Sequence, residues 1–152
     1  KEHMSRIIYI LFIVLGGASA AVQSPVNSGL GKRIGVFEGG FWSFATGTLL
    51  LLFLVLLFGK GDFSALPSVS KWQLLGGALG VVAVLAMIVC APQLGVGLAT
   101  VCLLFGQITI AILIDSFGLF GVTQIPLDYN RIIGMILMLA GVFFVYRSKF
   151  GA

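Results

Sequence analysis

"TLLLLFLVLLF", residues 48–58, decides the fold. The run holds one hydroxyl and no charge, so it offers neither the polar stripe of a soluble helix nor the alternation of a half-buried strand. A helix apolar on every side rests in a large core or in lipid. The chain has 152 residues, of which 59% are hydrophobic and 9% charged, and its mean hydropathy is +1.15. A soluble domain carries about 25% charged residues. Too little polar surface exists to wrap a core around such a run, and the fold class is therefore all-α integral membrane. A membrane barrel is excluded because its strands alternate apolar and polar side chains, which residues 48–58 do not.

Working outward, a helix needs about twenty residues to cross ~30 Å of hydrocarbon. Five segments qualify: about 7–26, 38–58, 74–91, 94–114 and 132–146. They predict a single five-helix membrane domain over 1–152, with links too short for a soluble domain. Only "PQL" (92–94) separates the third and fourth spans, which predicts a tight antiparallel hairpin. "IIYILFIVL" (7–15) followed by Ala18-Ser19-Ala20 imitates a secretory leader. Four further spans follow it, so it is read as a retained first span. The opening "KEHM" reads as a cloning scar (1–3) ahead of a native Met4, which sets His3, the single histidine, outside the chemistry.

The net charge of +4 comes from Lys and Arg scattered in ones and twos between apolar segments. That is headgroup flanking, with no basic stripe for nucleic acid. If the five spans cross alternately and Lys1 of the expected scar is set aside, one side carries Arg6, Lys60, Lys71 and Arg131, and the other Lys32, Arg33, Arg147 and Lys149. Four face four. The positive-inside rule works through Lys/Arg asymmetry, so the balance predicts insertion in both orientations. The competing expectation is that Lys32 and Arg33, set against Arg6 alone, place the amino end outside.

The first span ends in polar residues. Ser19, Gln23 and Asn27 recur every four residues and share one helix face, while Pro25 removes a backbone donor and predicts a loosened or kinked helix. Amides are costly against hydrocarbon, so this face should turn inward. Ser43 and Thr46, with Trp42 alongside, occupy the first half of the second span, and Gln107 lies mid-span in the fourth, after Thr100. Two readings stand: convergence on one polar pocket, or separate interhelical hydrogen bonds worth about 1 kcal/mol each. Small residues at four-residue spacing predict close helix contacts at Gly16/Ala20, Gly17/Ala21, Gly39/Ser43/Gly47 and Gly76/Gly80 with Gly77, as do Gly134 and Gly141 two turns apart.

Ionisable groups are scarce. Glu38, at the entrance of the second span, is the candidate for proton coupling, set against a plain role as a carboxylate favoured by the helix dipole. Asp115 closes the fourth span. Cys90 and Cys102 lack metal-site spacing and read as small buried hydrophobes. No nucleophile stands beside a base and no carboxylates cluster, so neither an enzyme nor a cofactor or metal site is expected. "GLGKR" lacks the first glycine spacing of a phosphate-binding loop.

"QSPVNSGLGKRIG" (23–35) and "FWSFATGTLLLL" (41–52), followed by "WQLLGGALG" (72–80), "APQLGVGLA" (91–99), "FGQITIAILIDSFGLFG" (105–121) and "RIIGMILMLAGVFFV" (131–145), together resemble the small five-span YdcZ-like family of the drug/metabolite transporter superfamily. The resemblance covers nearly all of the chain after the scar. It implies a bacterial inner-membrane protein equivalent to half of an EamA-like transporter, whose two five-helix halves lie in opposite orientation. By that similarity the chain pairs with an antiparallel copy of itself and exchanges access by rocking one repeat against the other. Gln23, Asn27, Ser43 and Gln107 would line the cavity, with Trp42 or Phe44 as apolar wall. The four-span multidrug members carry a glutamate in their first helix; this chain has none there, which puts proton coupling at that point in doubt.

Three functions follow as expectations. The first is an exporter of a small polar or amphipathic metabolite working as an antiparallel homodimer. The second is a translocase of lipids or lipid-linked headgroups, and the third a membrane assembly subunit that transports nothing. The expected partners are a small-molecule or lipid substrate, membrane lipids and the second copy, with no nucleic acid.

Overall fold

In the computed structural model, residues 2–151 are described, and side chains from Arg6 onward. Lys1 and the side chains of Glu2 and His3, the expected scar, fall outside what is described. Five helices are long and apolar enough to cross a membrane: α1 (Glu2–Ile34), α2 (Val36–Phe58), α3 (Gly76–Leu94), α4 (Val96–Phe117) and α5 (Tyr129–Phe150). No strand occurs among the described residues. The helices fall into two compact units that meet in sequence between Gln93 and Leu94.

In the first unit, α1 runs on through Pro25 to Ile34, well past the expected end near residue 26. Membrane helices tolerate proline because neighbouring groups satisfy the carbonyl it frees. The polar stretch and Lys32-Arg33 are thus the last turns of the helix, where cations suit the negative end of its dipole. A single residue, Gly35, separates α1 from α2. Its φ of 110° and ψ of 152° lie in a region open to glycine alone. The corner is braced by hydrogen bonds from the Gly35 nitrogen to the Gly31 carbonyl (3.0 Å) and from the Gly39 nitrogen to the Gly35 carbonyl (2.9 Å). Two helices leaving one corner must pack from the first turn. Gly31 and Gly39 permit it: a β-carbon on Gly39 would lie 3.0 Å from the Gly31 backbone.

Helix α3 closes over this corner. Ile88 is buried, and its Cγ2 would stand 2.6 Å from a β-carbon on Gly31, while Leu85 would crowd one on Gly40 at 2.9 Å. The Ser28 hydroxyl donates to the Met87 carbonyl at 3.3 Å, an interhelical bond at a residue the four-residue spacing did not include. The link from α2 to α3 is built of two short 3-10 helices, Phe63–Ser68 and Lys71–Leu75. Ser64 donates to Asp62 through both its backbone nitrogen (2.8 Å) and its hydroxyl (2.7 Å). The two bonds hold the exposed Asp62 carboxyl below its usual range.

Pro92 to Leu94, expected as a link, belong to α3, and Gly95 alone (φ 79°, ψ 149°) precedes α4. Its local sequence resembles that at Gly35: Ile34-Gly35-Val36 there, Leu94-Gly95-Val96 here. Within the second unit α4 and α5 pack together. Gly118, left-handed at φ 60°, caps α4, and the Asp115 carbonyl accepts the Ile125 nitrogen at 2.9 Å. Gln124 Nε2 donates to the Ser116 carbonyl at 2.8 Å. Asp128 accepts the Arg131 backbone nitrogen at 2.9 Å, which starts α5 at Tyr129, ahead of the expected 132. Arg131 also pairs with Asp115 at 3.3 Å.

Two further expectations need correction. Of the small-residue positions, Gly39 and Gly80 meet neighbours, the latter the Phe44 ring at 3.4 Å, whereas Gly16, Gly17, Gly47, Gly76, Gly77, Gly134 and Gly141 have open space. Small residues are common in membrane helices whether or not a partner fills the notch. Cys90 and Cys102 are free and exposed rather than buried. A thiol is apolar enough to face acyl chains, so it needs no core to hide in.

Candidate functional site

The candidate site lies in the first unit, against the corner between α1 and α2. Ser24, Asn27, Ser28 and Gly31 are the buried face of α1, spaced three and four residues apart. Ser28 is satisfied by α3, as above. Ser24, 4% exposed, has a hydroxyl buried without a partner.

Asn27 is 7% exposed, and its amide has no hydrogen-bond partner among the described residues. The amide borders a cavity of about 600 Å³ lined by Pro25, Val26, Asn27, Gly29, Leu30 and Arg33 from α1 and by Trp42, Ser43 and Thr46 from α2. The Thr46 hydroxyl is already engaged with its own helix, 3.1 Å from the Trp42 carbonyl and 3.0 Å from that of Ser43. The Asn27 amide, the Ser43 hydroxyl and the Arg33 guanidinium are therefore the groups free to meet a guest. Trp42, 55% exposed, supplies an aromatic wall.

A second cavity of about 220 Å³ shares Ser43 and is lined by Gln23, Phe44, Gly47, Thr48 and Leu51. Gln23 is exposed there and likewise lacks a protein partner. Of the expected site residues, then, Asn27, Trp42 and Ser43 meet in one cavity and Gln23, Ser43 and Phe44 in its neighbour. Ser19 bonds its own helix through the Leu15 carbonyl at 3.0 Å. Gln107 belongs to the second unit, where it is exposed on α4. Glu38 is also exposed, and its carboxylate folds back against Gly35 at the start of α2, outside the lining of either cavity. That is where a helix dipole favours a negative charge.

Arg33 is the residue that sequence reasoning passed over, because it was counted as a headgroup anchor. The signal was present: Val26, Leu30 and Arg33 stand at i, i+4 and i+7, so the cation shares a face with two apolar lining residues.

In the second unit a cavity of about 410 Å³ lies by the α4–α5 link, lined mostly by apolar side chains with Thr109, Ser116 and Gln124. The hydroxyls of Thr109 and Ser116 and the amide of Gln124 are all bonded to backbone carbonyls. It offers no free polar group. No group of three or more potential metal ligands occurs among the described residues.

Five helices long and apolar enough to cross a membrane, with free amide, hydroxyl and guanidinium groups in a cavity between the first two, are the frame of a multi-pass membrane protein. A family model described as "Putative inner membrane exporter, YdcZ" matches residues 8–144, and the chain belongs to that family. It is a multi-pass protein of the inner membrane. No curated protein and no solved structure matches the chain.

Proposed function

We propose that the chain exports a small polar or amphipathic metabolite by alternating access. Its five helices act as one domain and pair with an oppositely oriented copy. Asn27, Ser43 and Gln23 contact the guest, Trp42 and Phe44 form the apolar walls, and Gln107, on the second unit, is a further substrate-contacting residue of the proposal. The observation that carries the reading is Asn27: a buried amide, unpaired in the protein, bordering a cavity. A group left so is stabilised only when water or a solute meets it. The single-glycine corner suits the reading, since α1 and α2 leave it with the cavity between them. The equal division of Lys and Arg supports the antiparallel pair.

Proteoliposomes loaded with a bacterial polar-metabolite extract test it. Mass spectrometry of the external buffer should show one or a few solutes released by the wild-type protein and retained with Asn27→Leu. A release profile identical to that of protein-free liposomes would overturn the proposal.

A further inference from the structure

The geometry points to a guest that carries an oxyanion, carboxylate or phosphate, held by Arg33 with its less polar part against Trp42; this deepens the exporter reading and rests on it. Arg33 is the charged residue of the 600 Å³ cavity, and no carboxylate contributes to the lining. Its guanidinium has no ion-pair partner among the described residues. Glu38, the nearest acid in sequence, is folded back against Gly35.

Asn27 lies six residues earlier on the same helix, roughly 9 Å along the axis. A bound molecule therefore meets a cation at one end of the cavity and a neutral amide with the Ser43 hydroxyl further along. A guanidinium pairs with planar or tetrahedral oxyanions through parallel N–H bonds, while the amide offers a donor and an acceptor to the part of the guest further along. The indole face of Trp42 accepts an apolar or aromatic body. A cationic guest would face Arg33 with nothing to offset the repulsion.

The same chemistry is presented by a soluble organic anion and by a phospholipid headgroup. Arg33 also has a plainer role, complementing the dipole at the end of α1. Only the binding role makes affinity depend on the charge of the guest.

The chain has two tryptophans, Trp42 and Trp72, so in a Trp72→Phe background the emission reports on the cavity wall alone. The protein in phosphatidylcholine nanodiscs is titrated with benzoate, phenyl phosphate, benzamide and benzamidine. The anions should shift Trp42 emission saturably, about tenfold more tightly than benzamide, with benzamidine weaker still. Arg33→Gln should remove the preference, Arg33→Lys keep most of it, and added salt weaken it.

Should Arg33→Gln fail to fold, the four probes on the otherwise unaltered chain decide by themselves. Nanodiscs containing phosphatidylglycerol separate the sources. If emission is already shifted there and phenyl phosphate no longer acts, the oxyanion is a headgroup; if the titration is unchanged, it is a soluble anion. Either result supports Arg33 as an oxyanion site. Equal binding of benzoate and benzamidine, unaffected by Arg33→Gln, overturns the anion preference and leaves the exporter reading standing. Silence from every probe, with Asn27→Leu also without effect on release, removes both.

Discussion

Gly31 and Gly39 touch backbone to backbone: a β-carbon built on Gly39 would lie 3.0 Å from both the Cα and the nitrogen of Gly31. Each stands four residues from Gly35, so the corner folds the chain onto itself about one glycine. Everything that positions the cavity depends on that approach, since α1 and α2 supply all of its walls.

Gly39→Ala should therefore destabilise the protein by about 1–3 kcal/mol, because the opposing atoms are backbone and yield only by helix displacement. Gly47→Ala, with open space around it, should be neutral or stabilising by about 0.5–1 kcal/mol through helix propensity. Melting in detergent, followed by circular dichroism, distinguishes the two. Equal melting points would mean that the corner is not closely packed.

Asn27→Leu should separate stability from function. The amide has no protein partner to lose, so an apolar replacement of similar length is expected to leave the melting temperature unchanged or raised. Solute release should fall by at least about tenfold, the loss expected when a hydrogen bond worth about 1.4 kcal/mol disappears. A marked drop in melting temperature would mean that Asn27 is structural glue.

The Arg131–Asp115 pair, at 3.3 Å with both side chains partly exposed, should contribute little. A double-mutant cycle with Asp115→Asn and Arg131→Gln is expected to give a coupling below about 1 kcal/mol. Asp128→Ala should cost more, about 0.5–2 kcal/mol, because its carboxylate caps α5 through the Arg131 nitrogen. Denaturation in mixed micelles gives the ordering, and the reverse order would contradict it.

Orientation should respond to single charges. With four cations assigned to each side, cells should contain both insertions, and two lysines added beside Lys60 should convert the population to one. Impermeant-maleimide labelling of cysteines placed at either terminus reads the distribution. A wild-type chain already in one fixed orientation would contradict the antiparallel pair.

Much of this was legible in the sequence because lipid leaves little choice. A run such as 48–58 that is apolar on every face must span, and five such segments fix the helix count. What escaped was where polar and apolar signals overlap. Pro25 and its serines read as the end of a helix, yet α1 continues to Ile34, since a membrane helix absorbs a proline that would break a soluble one. Pro92 misled in the same way. The corners were hidden because "IGV" and "LGV" carry no turn signal beyond one glycine, whose positive φ is invisible until the backbone is traced. In the site, four-residue spacing directed Ser19, Gln23 and Asn27 inward together, yet of the three only Asn27 is buried. It could not distinguish Ser24 and Ser28, buried on the same side, from Gln23, which is exposed. Arg33 was visible as a charge but not as a wall, because a cation near a helix end serves headgroup, dipole and ligand equally well.

The central claim is that the Asn27 cavity is wet and reachable, and Asn27→Cys in a background with Cys90 and Cys102 replaced by alanine tests it most directly. In vesicles that hold the protein in both orientations, as the antiparallel pair requires, an impermeant maleimide should label position 27 from the inside and, in separate samples, from the outside, with solute protecting both. Labelling from neither side, at a rate equal to that of a lipid-facing control at Leu50, would contradict it.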